Sequence, residues 1–369
     1  MEATGRNPAL DVLRGVTVAL MILVNTPGSW NHVLPPLRHA SWHGCTLADL
    51  VFPFFLFVMG VSLFFSLSRQ ADRPAVSVLI KVGKRVAVIF LLGLFLNTYP
   101  QWLAENSQIR ILGVLQRIAL AYGLAALLIL YGRRRWLPAG GVFVLLAYWG
   151  ILYFCGGADP YSLAQNAAIP VDSFLLGESH LYRGFGIPFD PEGLFGTLPA
   201  AVTVLAGYLA GGLIPSSEGH GGTIKLAAWG AALTAAGLFW SLILPLNKPL
   251  WTGSYVLYTA GLAFLVFAFL MYVIDGRRPQ KWTILFSVFG CNPLFLFVLS
   301  IVWGKTLRLL VRIPTGDGQS INAGAWLYSQ LFVPLAGPAG GSFMFALAHV
   351  ALFGFVGYLL YRHRIFIKV

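Results

Sequence analysis

The sequence predicts an all-α protein that crosses a membrane about ten times, and three observations lead to this fold class. Of the 369 residues, 57% are hydrophobic and only 10% are charged, with a mean hydropathy of +0.75. Soluble domains carry about 25% charged residues. The apolar residues form long runs, and Lys and Arg cluster between the runs, as topology signals do. The net charge of +12 therefore indicates membrane topology and excludes a soluble nucleic-acid-binding protein.

Ten apolar stretches are long enough to cross the hydrocarbon layer, which takes about 20 helical residues. They are residues 9–26, 47–68, 80–98, 109–131, 136–155, 195–213, 225–244, 251–274, 282–302 and 342–361. A shorter apolar stretch, 323–336, contains Pro334, and we expect it to be interfacial or re-entrant. The first stretch carries charged residues and has no small-residue cleavage site, which indicates an uncleaved span. With no internal repeat in the sequence, residues 1–369 are predicted to form one membrane domain.

The distribution of basic residues predicts the orientation of these spans. The loops on one side, together with both termini, hold sixteen Lys and Arg residues, and the opposite loops hold seven. By the positive-inside rule the first side is cytoplasmic, which places both termini inside and requires an even number of spans. The outer loops 27–46 and 156–194 contain four histidines and five carboxylates. We therefore expect the function to be exposed on the outer side.

The first candidate site lies in residues 24–60, which contain Asn25, His39 and Asp49 between apolar segments. Ionisable groups at a membrane margin cost free energy unless they are paired or face water, so they indicate a site. A neutral imidazole can act as a base or a nucleophile, and a carboxylate can fix its tautomer. His39 and His43 have the i, i+4 spacing of metal ligands, but the surrounding Pro and Gly residues indicate a loop. We predict no metal site here.

A second candidate site is the segment GIPFDPEGLFGTLPA at 186–200, which contains Asp190 and Glu192. Two interpretations are open for these carboxylates. Either one could cap the helix that follows, through its N-terminal amides. Alternatively, the pair could accept hydrogen bonds from sugar hydroxyls or from an ammonium group.

A third set combines charged and polar residues within spans with a basic cluster between spans. Asp11 and Arg14 are one helical turn apart and could simply neutralise each other. The remaining members could form an anion funnel for phosphates, although topology signalling explains the loop residues equally well. The residues that we predict to bind a phosphate-bearing cofactor are Arg14, Lys81, Lys84, Arg85, Gln116 and Arg117.

Several segments resemble the heparan-alpha-glucosaminide N-acetyltransferase family of the transmembrane acyltransferase superfamily. The most specific is HASWHGCTLADLVFPFFLFVMG at 39–60. The others are LDVLRGVTVALMILVN (10–25), RILGVLQRIALAY (110–122), FDPEGLFGTLPA (189–200), LPLNKPLWTGSYVLYTAG (244–261), FGCNPLFLFVLS (289–300) and LLYRHRIFIKV (359–369). They follow in order along nearly the whole chain. The chain lacks the luminal N-terminal region of the lysosomal enzyme, so it resembles the bacterial homologues.

This resemblance implies an acetyltransferase that takes acetyl-CoA from the cytosolic side and acetylates the amine of a glucosamine-type sugar on the far side. His39 falls on the catalytic histidine of the HASW motif, with Asn25 as a hydrogen-bonding partner and Asp49 as an acidic partner. The predicted substrate-binding residues are Trp42, Asp190, Glu192, Asn247 and Trp251. The implied setting is a bacterial cytoplasmic membrane with lipid around the spans and a homodimer as a compatible assembly.

Two other functions are compatible with the sequence. One is a secondary transporter of amino sugars or oligosaccharides, since GCNP at 290–293 could mark a broken helix of the kind that transporters use. Against it, the chain has no paired halves. The other is an O-acyltransferase that uses the same donor on an extracytoplasmic glycan. Within the acetyltransferase interpretation, His39 acts either as a nucleophile that becomes acetylated or as a general base in a ternary complex.

Overall fold

The structure is a computed structural model that describes residues 7–70, 72–100, 109–214, 221–274, 281–314 and 319–367. The described part is almost entirely α-helical. In chain order the helices are α1 Pro8–Asn25, α2 Leu47–Ser68, α3 Ala75–Thr98, α4 Val114–Tyr131, α5 Leu137–Cys155, α6 Ala168–Leu176, α7 Thr197–Leu213, α8 Gly221–Trp240, α9 Gly253–Ile274, α10 Lys281–Cys291, α11 Pro293–Lys305, α12 Ala323–Leu327 and α13 Val333–Arg362. Two short strands, β1 Arg312–Pro314 and β2 Ser320–Asn322, pair antiparallel.

The predicted fold class is confirmed. Within the described residues, eight helical segments are long and apolar enough to cross a membrane. Helix α7 is apolar but shorter, and α3 carries the charged residues of the basic cluster; both coincide with predicted spans. Of the basic residues used to predict orientation, Arg6, Arg277, Arg278 and Lys368 lie outside the described residues.

Two predicted segments differ in the structure. The ninth predicted span is divided at Asn292, because Pro293 lacks the amide hydrogen that would continue α10 and instead opens α11. Residues 323–336 are helical. They comprise α12, a turn of π-helix at Tyr328–Phe332 and the start of α13, and the backbone of α13 breaks at Gly337, which has a φ of 70°. The position of this segment relative to the membrane stays a prediction.

Small residues bring α2 and α7 together at the centre of the bundle. A Cβ atom on Gly60 would collide with the carbonyl oxygen of Val204, and one on Gly207 would collide with that of Phe57. Such close backbone approach is the usual way in which helices pack in lipid, where apolar burial alone gives no preference for protein over lipid. The contact fixes α2, and α2 carries the candidate residue Asp49 at one end.

Candidate active site

A cavity of about 350 Å³ lies where α1 ends and where α2, α4 and α9 begin. Its polar lining combines residues from four separate parts of the chain. They are Asn25, His39, Asp49, Arg110, Glu192 and Lys248. The rest of its wall is apolar or aromatic and includes Met21, Phe52, Tyr182, Phe185, Trp251, Phe297 and Ile301. The cavity lining therefore combines charged groups with apolar and aromatic side chains.

His39 and Asp49 form the pair that the sequence predicts. Nδ1 of His39 lies 2.7 Å from Oδ1 of Asp49. The Asp49 side chain is only 2% exposed, whereas the His39 side chain is 42% exposed. A buried carboxylate thus holds an accessible imidazole, which is the arrangement by which such pairs orient a catalytic base.

The contacts of His39 decide which ring nitrogen carries its proton. The two groups near Nδ1 are the carboxylate of Asp49 and the ammonium of Lys248, whose Nζ lies 3.2 Å away. The ammonium has no lone pair to offer, and the carboxylate can only accept. The neutral ring must therefore carry its proton on Nδ1. Nε2 is left with the lone pair and can act as a base or a nucleophile.

Asp49 is fixed by the start of α2 as well as by His39. Its Oδ2 accepts hydrogen bonds from the amide of Ala40 at 3.0 Å and from the amide and hydroxyl of Thr46 at 3.1 and 3.0 Å. Thr46 and Asp49 form a capping box, which satisfies the free amides at the helix N-terminus. The residues that begin the helix therefore also position the His39–Asp49 pair.

Lys248 reaches the pair from the turn between α8 and α9. Its Nζ lies 3.3 Å from Oδ1 of Asp49. The turn is held against the loop of His39 because the amide of Gly44 donates to the carbonyl of Leu246 at 2.8 Å. Asn247 stabilises the turn from inside, accepting from the amide of Leu250 at 2.7 Å. The ammonium of Lys248 is thus placed by the backbone around it.

Asn25 lines the cavity at the end of α1. Its amide nitrogen donates one hydrogen to the carbonyl of Met21 at 2.8 Å, and its second hydrogen has no partner among the described residues. Trp42 does not line this cavity. Its indole donates to the carbonyl of Tyr161 at 2.8 Å and its ring packs on Phe185 and Phe189. Trp42 therefore joins the loop of His39 to the segment before α7, and its role in binding substrate stays a prediction.

Asp190 and Glu192 are both bonded to Arg110. Asp190 accepts from Nε and Nη2 of Arg110 at 2.8 and 2.6 Å, and Glu192 accepts from Nη2 at 2.5 Å. The guanidinium also lies over the ring of Tyr182, 4.6 Å from its centre. Burial alone would lower the pKa of Arg110, but the hydrogen bonds and charges of the two carboxylates outweigh it and raise that pKa.

These contacts separate the two predicted carboxylates. Asp190 has a fully buried side chain and lies behind Arg110, outside the cavity lining. Its Oδ1 accepts from the amide of Glu192, and neither carboxylate caps α7, which begins at Thr197 after Gly196. Only Glu192 faces the cavity. Asp190 therefore fixes Arg110, and its part in binding substrate stays a prediction.

Asn247 and Trp251 have different positions in the turn. Asn247 is completely buried; its amide lies 3.3 Å from Nδ1 of His43, and it does not line the cavity. The contacts of Asn247 are thus within the turn and with the loop of His39, and its role in binding substrate stays a prediction. Trp251 does line the cavity. It adopts a left-handed backbone conformation with φ of 53°, and its indole lies 3.3 Å from the hydroxyl of Thr203.

Arg117 and Gln116 lie at the same end of the bundle as His39. Arg117 is 1% exposed, donates to the carbonyl of Gly193 at 2.9 Å and lies 5.3 Å from the ring centre of Trp251. Gln116 is equally buried and donates to the carbonyl of Ile111. The predicted grouping of these residues with the basic cluster is therefore wrong. The reason is that α4 begins near the cavity and places its first turn there.

Close to Arg117 lies a buried carboxylate, that of Asp172 in α6. Its Oδ1 accepts from the amide of Phe195 at 3.0 Å. Burial raises the pKa of Asp172 to about 6, although the charge of Arg117 and the hydrogen bond from Phe195 act in the opposite direction. The wall behind the cavity thus contains one further cation and one further carboxylate.

A second cavity, of about 460 Å³, lies at the other end of α2. It is lined by Gln70, Lys81, Lys84, Arg85 and Tyr122 together with apolar residues of α2 and α3. Arg85 lies 5.0 Å from the ring centre of Tyr122, and its buried Nε has no hydrogen-bond partner among the described residues. The three basic residues therefore lie together in one cavity, and their role in binding a cofactor stays a prediction.

Arg14 lies apart from this basic cavity. Its guanidinium bonds to Asp11 at 3.0 Å and to the hydroxyl of Ser62 at 2.8 Å, where α1 meets α2. This is the neutralising contact that the sequence offered as the alternative. The structure thus places Arg14 between α1 and α2, and its role in binding a cofactor stays a prediction.

Sequence reasoning missed Arg110, Lys248 and Tyr182 as cavity residues. Arg110 and Lys248 were counted only as two of the seven basic residues on the outer side. A usable signal was present in each case, since a cation near the outer margin of a membrane needs a partner. The carboxylates with which they pair are 80 and 199 residues away in the chain, so their pairing required the fold.

Residues 6–160 match the sequence model of a known family, described as heparan-alpha-glucosaminide N-acetyltransferase, catalytic. This region includes Asn25, His39, Asp49 and Arg110. The resemblance predicted from the sequence is confirmed. The human heparan-alpha-glucosaminide N-acetyltransferase is 28% identical over an alignment that covers 79% of this chain and 52% of the relative. The mouse protein of the same name is 26% identical, with 80% and 53% covered.

The chain spans about half the length of these heparan-alpha-glucosaminide N-acetyltransferases. The cavity is also lined by Glu192, Lys248 and Trp251, which lie beyond the residues that the family model matches. These three residues fall in the segments 189–200 and 244–261, whose sequences resemble the family. The similarity and the apolar helices together identify an integral membrane protein.

Proposed function

We propose that this chain is a transmembrane acetyltransferase that moves the acetyl group of acetyl-CoA to the amine of a glucosamine-type sugar through His39. The observation that carries the proposal is the His39–Asp49 pair, in which Nε2 keeps its lone pair within an open cavity. The names of the similar human and mouse proteins support the reaction class and the type of acceptor. In this proposal, residues 1–369 form a single acyltransferase domain.

The donor enters from the basic cavity in this proposal. Lys81, Lys84 and Arg85 supply three cations, and the unpartnered Nε of Arg85 is a donor that a phosphate oxygen could satisfy. By the distribution of Lys and Arg this face is cytoplasmic, in a bacterial inner membrane, where acetyl-CoA is available. The His39 cavity then opens to the outer side and receives the sugar. The homodimer that the family resemblance suggests is compatible with this arrangement.

In this proposal the donor extends from the basic cavity to the His39 cavity along α2. Phe52 lines the His39 cavity and Leu63 the basic cavity. At 1.5 Å per residue they are about 16 Å apart along the helix axis. A thin flexible chain such as the pantetheine arm is the part of the donor that suits this distance and these apolar walls. The thioester would then arrive beside Nε2 of His39.

The chemistry uses Nε2 in either of two routes. As a nucleophile, Nε2 attacks the thioester carbonyl, the C–S bond breaks and the thiolate leaves; the acceptor amine then attacks the acetyl group, the bond from that group to Nε2 breaks, and the proton lost by the amine balances the one taken up by the thiolate. As a general base, Nε2 removes a proton from the amine while the amine attacks the thioester directly; the C–S bond breaks, and the thiolate takes up that proton and leaves as the thiol. Asp49 stabilises the positive imidazole in both routes, and the free amide hydrogen of Asn25 suits the developing oxyanion.

One observation weighs against the alternative of a transporter with a substrate site at the broken helix. The break at Asn292 is filled by the chain itself. The side-chain Nδ2 of Asn292 donates to the carbonyl of Ile365 at 2.9 Å, and its side-chain Oδ1 accepts from the amide of Ile367 at 2.7 Å. The polar side chain at the break therefore bonds to the segment that follows α13, which weighs against its use as a solute-binding group.

The proposal is tested by giving the purified protein acetyl-CoA with a panel of free amino sugars and identifying products by mass spectrometry. We expect an N-acetylated glucosamine-type product that forms in proportion to the thiol released. Acetylation of hydroxyl groups alone would favour an O-acyltransferase. Absence of any acetylated sugar, with acetyl-CoA bound, would overturn the proposal. Exchange of labelled CoA into acetyl-CoA without acceptor would identify the acetyl-histidine route.

A further inference from the structure

Two contacts join the loop of His39 to the turn between α8 and α9. The backbone amide of Gly44 donates to the carbonyl of Leu246 at 2.8 Å. The second contact is between side chains, with Nδ1 of His43 3.3 Å from Nδ2 of Asn247. The second contact therefore includes a group that can take up a proton, the imidazole of His43.

The other bond of Asn247 fixes which of its side-chain atoms faces His43. Its Oδ1 accepts from the amide of Leu250 at 2.7 Å, so Nδ2, which can only donate, is turned toward the imidazole. Nδ1 of His43 must therefore accept, and the neutral ring carries its proton on Nε2. Asn247 is completely buried, so bulk water could not replace this acceptor if it were lost.

Protonation of His43 removes the acceptor. The imidazolium has a hydrogen on both nitrogens, so two donors would face each other across the same contact. Asn247 could present its oxygen only by rotating its amide, and that rotation would break the bond to Leu250. His43 is an exposed residue, so protons reach it directly from the solution.

Several charged and titratable groups lie on the elements packed around His43. They are His39 and Cys45 on its own loop, Asp49 at the start of α2, Lys248 in the turn, and Asp159 and Tyr161 in the segment after α5. Partial burial of the ring lowers the pKa of His43 below its ordinary value of 6.5, although the charge of Asp159 acts in the opposite direction. The hydrogen bond is therefore present above this lowered pKa and is lost as the pH falls through it.

The contact matters because of the residue that follows Asn247. Lys248 places its ammonium 3.2 Å from Nδ1 of His39 and 3.3 Å from Oδ1 of Asp49. Without the side-chain bond, the turn keeps its backbone bond to the loop but has more freedom to move. The ammonium would then be held less closely beside the His39–Asp49 pair.

We infer that His43 is a positioning residue for the His39 site: its neutral ring fixes the turn through Asn247, and its protonation breaks that bond and slows acetyl transfer. The inference rests on the proposed function. Acid then slows the reaction through two imidazoles. His39 loses the lone pair that reacts, and His43 loses the lone pair that positions the turn.

The test compares the kcat of the wild type, His43→Asn and His43→Ala between pH 5 and pH 8. The side-chain oxygen of Asn can take the place of Nδ1 and accepts at every pH in this range. At pH 8 we expect His43→Asn to keep the wild-type kcat. His43→Ala should lose about fivefold in kcat, as for one hydrogen bond, with an unchanged donor KM. At pH 5 the wild type should be slower than His43→Asn by about threefold.

The loss of activity through His39 is common to all three proteins, so the ratio of wild type to His43→Asn isolates His43. His32→Ala is the control, because His32 is exposed on the same outer loop and lies outside the cavity lining; it should keep the wild-type pH profile. This ratio needs only the wild type and His43→Asn, so it remains a test if His43→Ala does not fold.

Three results would overturn the inference while leaving the proposed function intact. They are a ratio that stays constant from pH 8 to pH 5, a His43→Asn variant as slow as His43→Ala, and a His43→Ala variant with the wild-type kcat at pH 8. Absence of acetyl transfer by the wild type at every pH would instead overturn the proposed function, and the inference with it.

Discussion

The two cavities at the ends of α2 are built in opposite ways. In the His39 cavity the charged groups are bonded to one another, and Asp49 alone accepts from His39, Ala40, Thr46 and Lys248. In the basic cavity the cations project from the surface of α3, and Arg85 keeps a buried donor with no partner among the described residues. The first arrangement is suited to holding a reacting geometry, and the second to capturing an anionic ligand.

The largest effect should come from the residue that has the reacting nitrogen. His39→Ala removes Nε2, and we expect acetyl transfer to fall by at least about 10³-fold, within the range for loss of general base or nucleophilic catalysis. Binding of acetyl-CoA at the basic cavity should persist. The measurement is turnover beside equilibrium binding of the donor. His32→Ala is the control, because His32 is exposed and lies outside the cavity lining. Equal losses in both variants would contradict the assignment.

The next effect concerns the orientation of His39. Asp49→Asn keeps the shape but replaces a carboxylate that accepts five hydrogen bonds with an amide that has one acceptor oxygen. We expect kcat to fall by about 10²-fold or more while the donor KM changes little. Because Asp49 also caps α2, stability should fall by about 1 kcal/mol. Steady-state kinetics measure kcat and the donor KM, and a thermal-unfolding scan measures the loss of stability. A variant that lost stability but kept its kcat would show that Asp49 serves only the helix.

A smaller and different effect should follow changes in the basic cavity. Neutralising Lys81, Lys84 and Arg85 to Met should raise the KM for acetyl-CoA by about tenfold, with kcat nearly unchanged, since the residues act on binding and not on the reaction. The wild-type donor KM should rise with salt, and the variant should respond less. Lys225→Met is the control, because Lys225 is an exposed basic residue of α8 that does not line the basic cavity. An unchanged donor KM would remove the distinction between the two cavities.

The smallest effect is on stability and comes from Asp172. Its pKa in the folded protein, about 6, is above its ordinary value of 3.8. The folded state therefore holds the proton more tightly, and stability falls as pH rises from about 4 to about 6. Asp172→Asn keeps an acceptor for Phe195 and stays neutral. The free energy of unfolding of the variant, relative to that of the wild type, should rise by on the order of 1–2 kcal/mol when the pH is raised from 4.5 to 7.5. Thermal unfolding of both proteins at both pH values tests this. A difference in stability between variant and wild type that does not change with pH would contradict it.

Features governed by local sequence could be predicted. Hydrophobic runs located the helices, and the residue types at 39–49 indicated the His39–Asp49 pair, whereas the run at 282–302 did not show that Pro293 divides it into α10 and α11. Features governed by contacts between distant segments could not. Nothing near Arg110 in the sequence indicates that it binds carboxylates 80 residues later.

The same limit explains the misplaced residues. Arg117 has the sequence surroundings of a charged residue in a span, but only the packing of α4 shows which end of the bundle it occupies. Trp42 and Asn247 lie within motifs that resemble the family, and their neighbours His39 and Lys248 do line the cavity. A motif locates the segment, whereas the direction of each side chain depends on the turn that holds it.

The central claim is that His39 passes an acetyl group between the two faces of the membrane. Sealed proteoliposomes with acetyl-CoA only inside and glucosamine only outside test it most directly. The account predicts N-acetylglucosamine in the outer solution with the wild-type protein, none with His39→Ala, and no uptake of the sugar by either. Product that forms only when both substrates are on the same side, or transfer that persists in His39→Ala, would contradict it.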